Sequence, residues 1–308
     1  MTLTDRNRTK RDVRGILLLD KPVGRSSNAA LQQVKRLFRA RKAGHSGSLD
    51  PLASGMLPIT LGEATKMSGF LLEADKVYLT RIRLGVTTTT GDAEGDVIDT
   101  TPVYPVGSGH ITEVLQGFIG RIEQVPPMHS AIKRDGQPLY KLAHKGIEVK
   151  REPRQVMIRD IKLLRYEGDE LELEIACSKG TYIRTLAEDI GKLLGFGGHV
   201  ASLRRLSIGP YHEDQMVSMD ALQAAAAGVA GPEALDRFLL PMESALLEWP
   251  SVHLSDDVAF FIRRGQPVVV SKAPKADLVK LYCSPDRFLG VGSVMEDGRI
   301  APRRLVNP

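Results

Sequence analysis

The chain of 308 residues is 42% hydrophobic and 26% charged, which is ordinary for a soluble globular protein with one large and one small domain or two medium ones. No apolar run approaches the roughly 20 residues that a membrane-spanning helix needs, so we expect no membrane partner. The net charge of +5 permits binding to nucleic acid but is too small to indicate it alone.

The first segment, residues 1–14, is polar and basic and lacks the apolar core of a signal peptide. We predict a basic flexible tail here, and a cytoplasmic protein with reduced thiols. The cationic side chains of the tail are either available to contact phosphate or simply solvated; they are Arg6, Arg8, Lys10, Arg11 and Arg14.

A buried strand and an amphipathic helix come next. Residues 15–20 are a short apolar run closed by a turn at residues 21–24, which predicts a strand. Ser26 and Ser27 are suited to cap a following helix. The apolar face of that helix comprises Leu31, Val34, Leu37 and Phe38. Its basic end, residues 35–42, suits either the helix dipole or a polyanion.

The most distinctive segment is the loop at residues 44–55, which is rich in glycine and serine and contains one carboxylate, Asp50. Pro51 steers Asp50 away from helical angles, and the glycines permit sharp bends and close approach of a ligand to the backbone. Beside a basic segment, this pattern favours a reactive carboxylate that is presented to a polyanion. A simple Asp-Pro turn is the alternative that the dipeptide alone leaves open.

Two strands are predicted from alternating side chains, at residues 77–86 and 170–177. A helix then begins near Tyr182 and ends at Gly195. Its buried side is predicted to carry Ile183, Leu186, Ile190, Leu193 and Leu194. Arg184 therefore lies near a helix start just past a strand end, where sites are commonly built; an exposed pair with Glu188 is the alternative.

The last part of the chain indicates a separate small domain. Residues 224–230 are rich in alanine and glycine and predict a helix or a linker. Pro241 and Pro250 bracket the predicted domain boundary. Short strands with turn signals follow, which is typical of a small β-barrel. They are predicted at residues 267–270, 278–282, 288–295 and 300–306.

Five segments resemble, in order, the motifs of a known family. They are GILLLDKP at residues 15–22, GHSGSLDPLASGMLP at 44–58, DKVY at 75–78, CSKGTYIR at 177–184 and HVASLRRL at 199–206. The family is that of the bacterial tRNA pseudouridine-55 synthases. The resemblance covers nearly the whole chain, including a tail that is similar to a PUA (pseudouridine synthase and archaeosine transglycosylase) domain.

The resemblance implies an α+β fold with a large mixed, mostly antiparallel sheet and flanking helices, followed by a small PUA-like C-terminal β-barrel. It implies a pseudouridine synthase catalytic domain at residues 15–245 and an RNA-binding PUA-like domain at residues 250–308, after the tail at residues 1–14. The implied activity is isomerisation of the T-loop uridine of tRNA, position 55, to pseudouridine on a flipped-out base. The protein is expected to act as a monomer.

The resemblance assigns catalysis to Asp50, Tyr78 and Arg184. Asp50 would act as a nucleophile at C1′ of the ribose or as the base that starts a glycal path. Because burial would raise the pKa of this carboxyl, we expect the Arg184 guanidinium to pair with it and keep it ionised. Tyr78 would stack on the uracil and help to remove the C5 proton, unless it is simply part of the core.

Five further residues are expected to contact RNA or support the site. By family resemblance, His45 fills the space that the flipped base vacates, although a structural histidine is the alternative. Tyr182 and Leu203 carry over as walls of the base pocket. Lys21 is expected to support the active-site loop, and Asp92 either orients RNA or the loop or is a simple turn residue.

The C-terminal domain is expected to bind the acceptor-stem side of tRNA, while the T arm enters the catalytic cleft. The residues expected to contact phosphate are Arg263, Arg264, Arg303 and Arg304.

No cofactor is expected, because the implied reaction adds and removes no atoms. No metal is expected either, since the two cysteines and seven histidines show no ligand spacing. Two other functions stay open from the residues alone: a non-catalytic RNA-binding or RNA-folding factor, and a hydrolase that forms an aspartyl intermediate at Asp50. The phosphotransferase type of hydrolase usually has a second aspartate two residues on, where this chain has Leu52.

Overall fold

A computed structural model describes residues 10–130, 132–134, 136–143 and 145–307. Its strands, in chain order, are β1 (Gly15–Lys21), β2 (Ala43–His45), β3 (Ser54–Leu61), β4 (Lys76–Leu84), β5 (Val86–Thr88), β6 (Val97–Thr100), β7 (Gly120–Gln124), β8 (Lys133–Arg134), β9 (Gln137–Pro138), β10 (Arg154–Glu167), β11 (Glu170–Cys177), β12 (Gly198–Ile208), β13 (Val217–Ser218), β14 (Ser251–Leu254), β15 (Leu278–Cys283), β16 (Arg287–Val294) and β17 (Ile300–Leu305).

The α-helices of the described residues are α1 (Ser27–Leu37), α2 (Ser68–Glu73), α3 (Ser108–Gln116), α4 (Leu139–Ala143), α5 (Ile183–Leu193), α6 (Met219–Ala227) and α7 (Asp256–Arg263). Short 3₁₀ helices occupy Gly62–Lys66, Glu213–Gln215, Gly231–Phe238 and Met242–Leu246. Among the residues described, none of these helices has the length and apolar composition needed to cross a membrane.

The central sheet has the strand order β13-β1-β3-β12-β4-β11-β10-β7, with β2 paired to β3. The pairs β1–β13 and β3–β12 are parallel, and the other neighbours in this sheet are antiparallel. This large mixed, mostly antiparallel sheet with flanking helices confirms the predicted α+β fold class. The long antiparallel strands β4, β11 and β12 lie at its centre, which makes their ends a rigid base for a site.

The strands predicted from alternation are present. In β11 the apolar positions are buried and the intervening ones are half-buried, as the pattern requires. The strand predicted at residues 77–86 ends earlier, at Leu84. Gly85 has φ +80°, and a Cβ there would lie 2.6 Å from Val103 Cγ2, so the chain turns sharply before β5 begins.

The two predicted helices are α1 and α5, and both begin where expected. The Ser26 hydroxyl accepts from the Ala29 amide at the start of α1. The prediction that Leu193 lies on the buried side of α5 is wrong, because Leu193 is 63% exposed. At 3.6 residues per turn Leu193 lies at the edge of the apolar face, whereas Leu194 lies near its centre and is buried.

The end of the segment predicted as a flexible tail, residues 1–14, is folded. Residues 1–9, with Arg6 and Arg8, lie outside the described residues. Arg11 pairs with Asp236 and donates to the Pro232 carbonyl, and Val13 is 6% exposed in the core. Residues 11–14 therefore belong to the folded part of the chain.

The C-terminal sheet has the order β14-β15-β16-β17 and is separate from the central sheet. Three of its predicted strands are present as β15, β16 and β17. The strand predicted at residues 267–270 is reduced to one bridge between Val268 and Ile300, since Pro267 offers no amide donor. Helix α7 was not predicted. Closure of the four strands into a barrel stays a prediction.

The two sheets share an apolar cluster. Ile16 and Leu18 of β1 face one side of the central sheet and pack with Val291 of β16. Leu17 and Leu19 face the other side and pack with α1 and α6. The alanine-rich stretch predicted as a helix or linker is helical up to Ala227, which ends α6.

Candidate active site

The loop that carries Asp50 connects β2 to β3 and is fixed on both sides of the carboxylate. The Ser27 hydroxyl, at the start of α1, donates to the Leu49 carbonyl (2.9 Å) and accepts from the Leu49 amide (2.7 Å). On the other side, the Pro51 carbonyl accepts from the Gly24 amide (2.8 Å). Because the backbone of both neighbours is held, Asp50 has a defined position.

Arg184 is the cationic partner of Asp50. Its Nε lies 3.1 Å from Asp50 Oδ2, and its Nη1 lies 3.5 Å from Asp92 Oδ2. The guanidinium also donates to the carbonyls of Thr90 (2.9 Å) and His129 (2.7 Å). The predicted ion pair is therefore present, and the burial of Arg184 excludes the alternative of an exposed pair along the helix.

Asp92 is more than a simple turn residue. It is 3% exposed, and its Oδ1 accepts from the Thr90 hydroxyl (2.6 Å) and from the Glu94 amide (3.1 Å). One carboxylate oxygen thus holds the turn while the other faces Arg184. A chain of charges, Asp50–Arg184–Asp92, connects the Asp50 loop to the turn after β5.

The environment of Asp50 acts on its protonation in opposite directions. Burial raises the pKa of the Asp50 carboxyl above its ordinary value. The Arg184 charge is the largest opposing influence, and the Asp92 carboxylate raises the pKa further. The Asp50 side chain is nevertheless 44% exposed, so a substrate can reach it.

Lys21 lies under the loop rather than in reach of bulk water. It is fully buried, and its Nζ donates to the carbonyls of Pro22 (2.8 Å), Arg25 (2.7 Å) and, at a longer 3.5 Å, Pro51. Burial lowers the pKa of Lys21 to about 8, against the opposing charge of Asp50. These contacts match the expectation that Lys21 supports the loop.

Tyr78 lies in the middle of the central sheet, on β4. Its backbone pairs with Ile175 of β11 on one side and Arg205 of β12 on the other. The residue is 9% exposed, and burial raises the pKa of its phenol, with the Arg205 charge as the largest opposing influence. The phenol therefore stays protonated at neutral pH.

Tyr182 and Leu203 lie around the same cleft. Tyr182 is the N-cap of α5, where its amide and carbonyl bond to the side chain of Gln124 at the end of β7. Leu203 of β12 is half-buried and packs on the main apolar cluster, which also contains Leu49 and Tyr78. Tyr182 thus lies two residues before Arg184 in the chain, and Leu203 packs in the cluster that contains the neighbour of Asp50; their role as walls of a base pocket stays a prediction.

His45 ends β2 and precedes the loop. Burial lowers the pKa of its imidazole, and the nearby Arg205 charge lowers it further, so the ring is neutral at pH 7. Its Nδ1 is buried and has no hydrogen-bond partner in the part of the chain that the structure describes. The alternative of a hydrogen-bonded structural histidine is therefore not supported at Nδ1.

The fold thus brings all eight predicted site residues to one region, formed by the Asp50 loop, the ends of β1 and β2, the turn after β5, the start of α5, and residues on β4 and β12. Sequence reasoning missed Arg205, which is 1% exposed, and Gln124, which is 2% exposed. The adjacent pair Arg204 and Arg205 was a signal for the first, because neighbours on a strand face opposite sides of the sheet. Gln124 gave no signal, because its contact with Tyr182 spans 58 residues.

This arrangement provides one accessible carboxylate, a buried guanidinium that favours its ionised form, and a protonated phenol in an apolar wall. Such a set suits nucleophilic or general-base chemistry at a carbon atom. The exposed arginines predicted to contact phosphate lie outside it, at the end of α7 and on β17.

Three family models match consecutive parts of the chain. Residues 35–183 match "TruB family pseudouridylate synthase (N terminal domain)". Residues 184–247 match "tRNA pseudouridylate synthase B C-terminal domain", and residues 250–306 match "Pseudouridine synthase II TruB, C-terminal".

Similar proteins cover nearly the full length. The tRNA pseudouridine synthase B of Nitrosococcus oceani is 56% identical over 295 residues, which are 96% of this chain and 95% of that protein. The enzyme of the same name from Pseudomonas fluorescens is 56% identical over 299 residues, 97% of each chain. A solved Cbf5-Nop10-Gar1 complex contains a chain that aligns with a TM-score of 0.74 at 25% identity, covering 99% of this chain and 93% of that one.

Proposed function

The chain belongs to the TruB family of pseudouridylate synthases, and we propose that it isomerises the T-loop uridine of tRNA, position 55, with Asp50 as the catalytic carboxylate. It is an enzyme of the isomerase class that converts uridine in tRNA to pseudouridine. The observation that carries the assignment of Asp50 is its ion pair with buried Arg184, which leaves the carboxylate accessible in a fixed loop.

In this reaction the N1–C1′ glycosidic bond breaks, the uracil turns, and C5 bonds to C1′ while the C5 proton moves to nitrogen. Nothing is added overall, so the chain's own groups must supply the chemistry. Asp50 acts at the ribose, as the nucleophile at C1′ or as the base that starts a glycal path. An amide at this position can do neither.

Arg184 keeps Asp50 reactive once RNA closes the cleft. Removal of water raises the pKa of the carboxyl further, and a fixed guanidinium opposes that rise. Its fork also fixes the direction of the carboxylate. Asp92, on the far side of Arg184, holds the guanidinium in place.

The uracil must leave its stack to reach Asp50, at a cost of a few kcal/mol. Tyr78 supplies a face on which the loose uracil can turn. Its phenol, which is protonated at rest, assists removal of the C5 proton by taking that proton as it passes its own to the uracil nitrogen or to water. Tyr182 and Leu203 line the pocket. Neutral His45, with no charge to solvate, fills the vacated space in the T loop, and Lys21 supports the loop.

We assign residues 15–245 to the catalytic domain and residues 250–308 to a PUA-like domain that binds the acceptor-stem side. Arg263, Arg264, Arg303 and Arg304 are all exposed. Arg303 and Arg304 are neighbours on a strand, so their side chains point to opposite faces of the sheet. We therefore expect only one of the two to contact the same stretch of RNA phosphates. We also propose that the protein acts in the cytoplasm as a monomer.

The test uses full-length tRNA labelled with tritium at C5 of uridine. Release of label together with pseudouridine mapped to position 55 supports the proposal, since a factor that only binds or folds RNA releases none. A tRNA with cytidine at position 55 is the matched control. Label released with pseudouridine at another position would contradict the assignment of the T loop.

A further inference from the structure

Arg205 is a buried cation beside the proposed site residues, and the reaction described above gives it no role. Arg205 lies on β12 and is 1% exposed. Its backbone is paired on one side with Tyr78 of β4 and on the other with Gly55 of β3, the strand that follows the Asp50 loop. Arg205 therefore stands between the two elements that carry the proposed catalytic carboxylate and phenol.

The guanidinium of Arg205 binds the loop at one point and the start of β3, the strand after it, at another. Its Nε donates to the Met56 carbonyl (2.8 Å), and its Nη2 donates to the Gly47 carbonyl (2.9 Å). These carbonyls lie on either side of Asp50 in the chain. A planar guanidinium with two donors in fixed directions sets both the distance of the loop from β12 and its orientation to that strand.

The same charge acts on the neighbouring side chains. It is the largest influence that opposes the rise in the pKa of Tyr78, and it adds to the effect of burial in lowering the pKa of His45. Arg205 thus binds the loop and acts through its charge on the phenol and the imidazole, whereas the charge partners of Arg184 are the carboxylates of Asp50 and Asp92.

We propose that Arg205 is a positioning residue for the isomerisation: its guanidinium sets the loop that carries Asp50 against the strand that carries Tyr78. The proposal rests on the function given above. It gives the two buried arginines different roles. Arg184 pairs with the Asp50 carboxylate, and Arg205 fixes the position of the Asp50 loop relative to Tyr78.

Two variants of the full-length protein test this. Arg205→Lys keeps the charge but has one compact ammonium in place of the fork, so we expect the single-turnover rate on tRNA to fall about 100-fold, as for small misplacements of reacting groups. Binding of tRNA should stay near that of wild type. Arg205→Gln removes the charge as well, and the pKa of His45, followed by NMR titration without RNA, should rise.

The matched control is Arg204→Gln, on the same strand. Arg204 binds Asp20 through both nitrogens (2.9 and 3.0 Å), so the variant loses a partly buried arginine elsewhere and should leave the pKa of His45 unchanged. A wild-type rate for Arg205→Lys, or an unchanged His45 pKa in folded Arg205→Gln, would overturn the proposal. If Arg205→Gln does not fold, Arg205→Lys decides alone. Absence of pseudouridine with wild-type protein would instead contradict the proposed function.

Discussion

For the proposed reaction, Asp50 has to be both accessible and ionised, and its surroundings oppose its ionisation. Burial raises the pKa of its carboxyl, Asp92 raises it further, and Arg184 opposes both. The sequence predicted this balance between burial and Arg184, because an Asp-Pro loop and an arginine at a helix start were both visible in it. The role of Asp92 was left open, since nothing local shows that its second oxygen faces Arg184 at 3.5 Å.

Changes at Arg184 should separate geometry from charge. Arg184→Lys keeps the charge but loses the fork, so the single-turnover rate should fall about 100-fold with its acid limb little moved. Arg184→Gln removes the charge that lowers the pKa of Asp50, so that pKa rises and the acid limb should move to higher pH. The measurement is the single-turnover rate as a function of pH.

A surface pair of the same kind is the control. Arg159 Nε lies 2.9 Å from Asp75 Oδ2, with both side chains about half exposed, and exposed pairs contribute little. Arg159→Lys should leave rate and pH profile unchanged. Full turnover by Arg184→Lys would rule out the role of the fork.

Strands β3 and β12 approach each other closely where β3 begins, directly after the Asp50 loop. Gly55 has φ +94°, and a Cβ there would lie 2.3 Å from the Arg205 carbonyl oxygen. The parallel pairing of β3 with β12 at this point needs a residue without a side chain. The Asp50 loop can therefore end directly against the strand that carries Arg205.

Gly55→Ala should cost more stability than a positive φ alone explains. A non-glycine residue with left-handed angles costs about 1–3 kcal/mol, and the backbone clash adds to that. Gly298→Ala is the control, because Gly298 has φ +80° with open space around its Cβ position. Urea unfolding measures both, and equal losses for the two variants would show that the contact at Gly55 is loose.

Elements with a clear apolar pattern could be predicted from the sequence. Short elements, and contacts between residues far apart in the chain, could not. The alternation in β11 gave that strand its full extent, Glu170–Cys177. Helix α7 was missed although Ser255 caps it and Asp256 and Asp257 occupy its first turn. Helix α7 has only eight residues, so its apolar face repeats over little more than two turns. The surrounding segments have strand patterns, and the whole region was therefore predicted as strands.

At the scale of the whole molecule, an apolar cluster joins the central sheet to the C-terminal sheet. Val291 of β16 is fully buried in the same cluster as Ile16, Leu18 and Met56 of the central sheet. Sequence patterns placed a domain boundary near Pro250, but they contain no information on which faces pack across it. The C-terminal sheet is therefore part of the support of β1 and β3, next to the Asp50 loop.

Deletion of residues 250–308 should consequently destabilise the remaining chain, in addition to weakening tRNA binding. The exposed apolar surface should lower the urea midpoint and promote aggregation. Arg263→Gln and Arg264→Gln, which leave the cluster intact, are the controls for RNA affinity and should reduce the salt dependence of binding without loss of stability. A truncated protein as stable as the full chain would show that the cluster is not shared.

The most direct measurement is single-turnover formation of pseudouridine at position 55 of tRNA by Asp50→Asn beside wild type. The substitution is nearly isosteric and removes the ionised oxygens while leaving the loop contacts of Leu49 and Pro51 in place. The account predicts tRNA binding close to wild type and no detectable pseudouridine. Formation of pseudouridine by Asp50→Asn at the wild-type rate would contradict it.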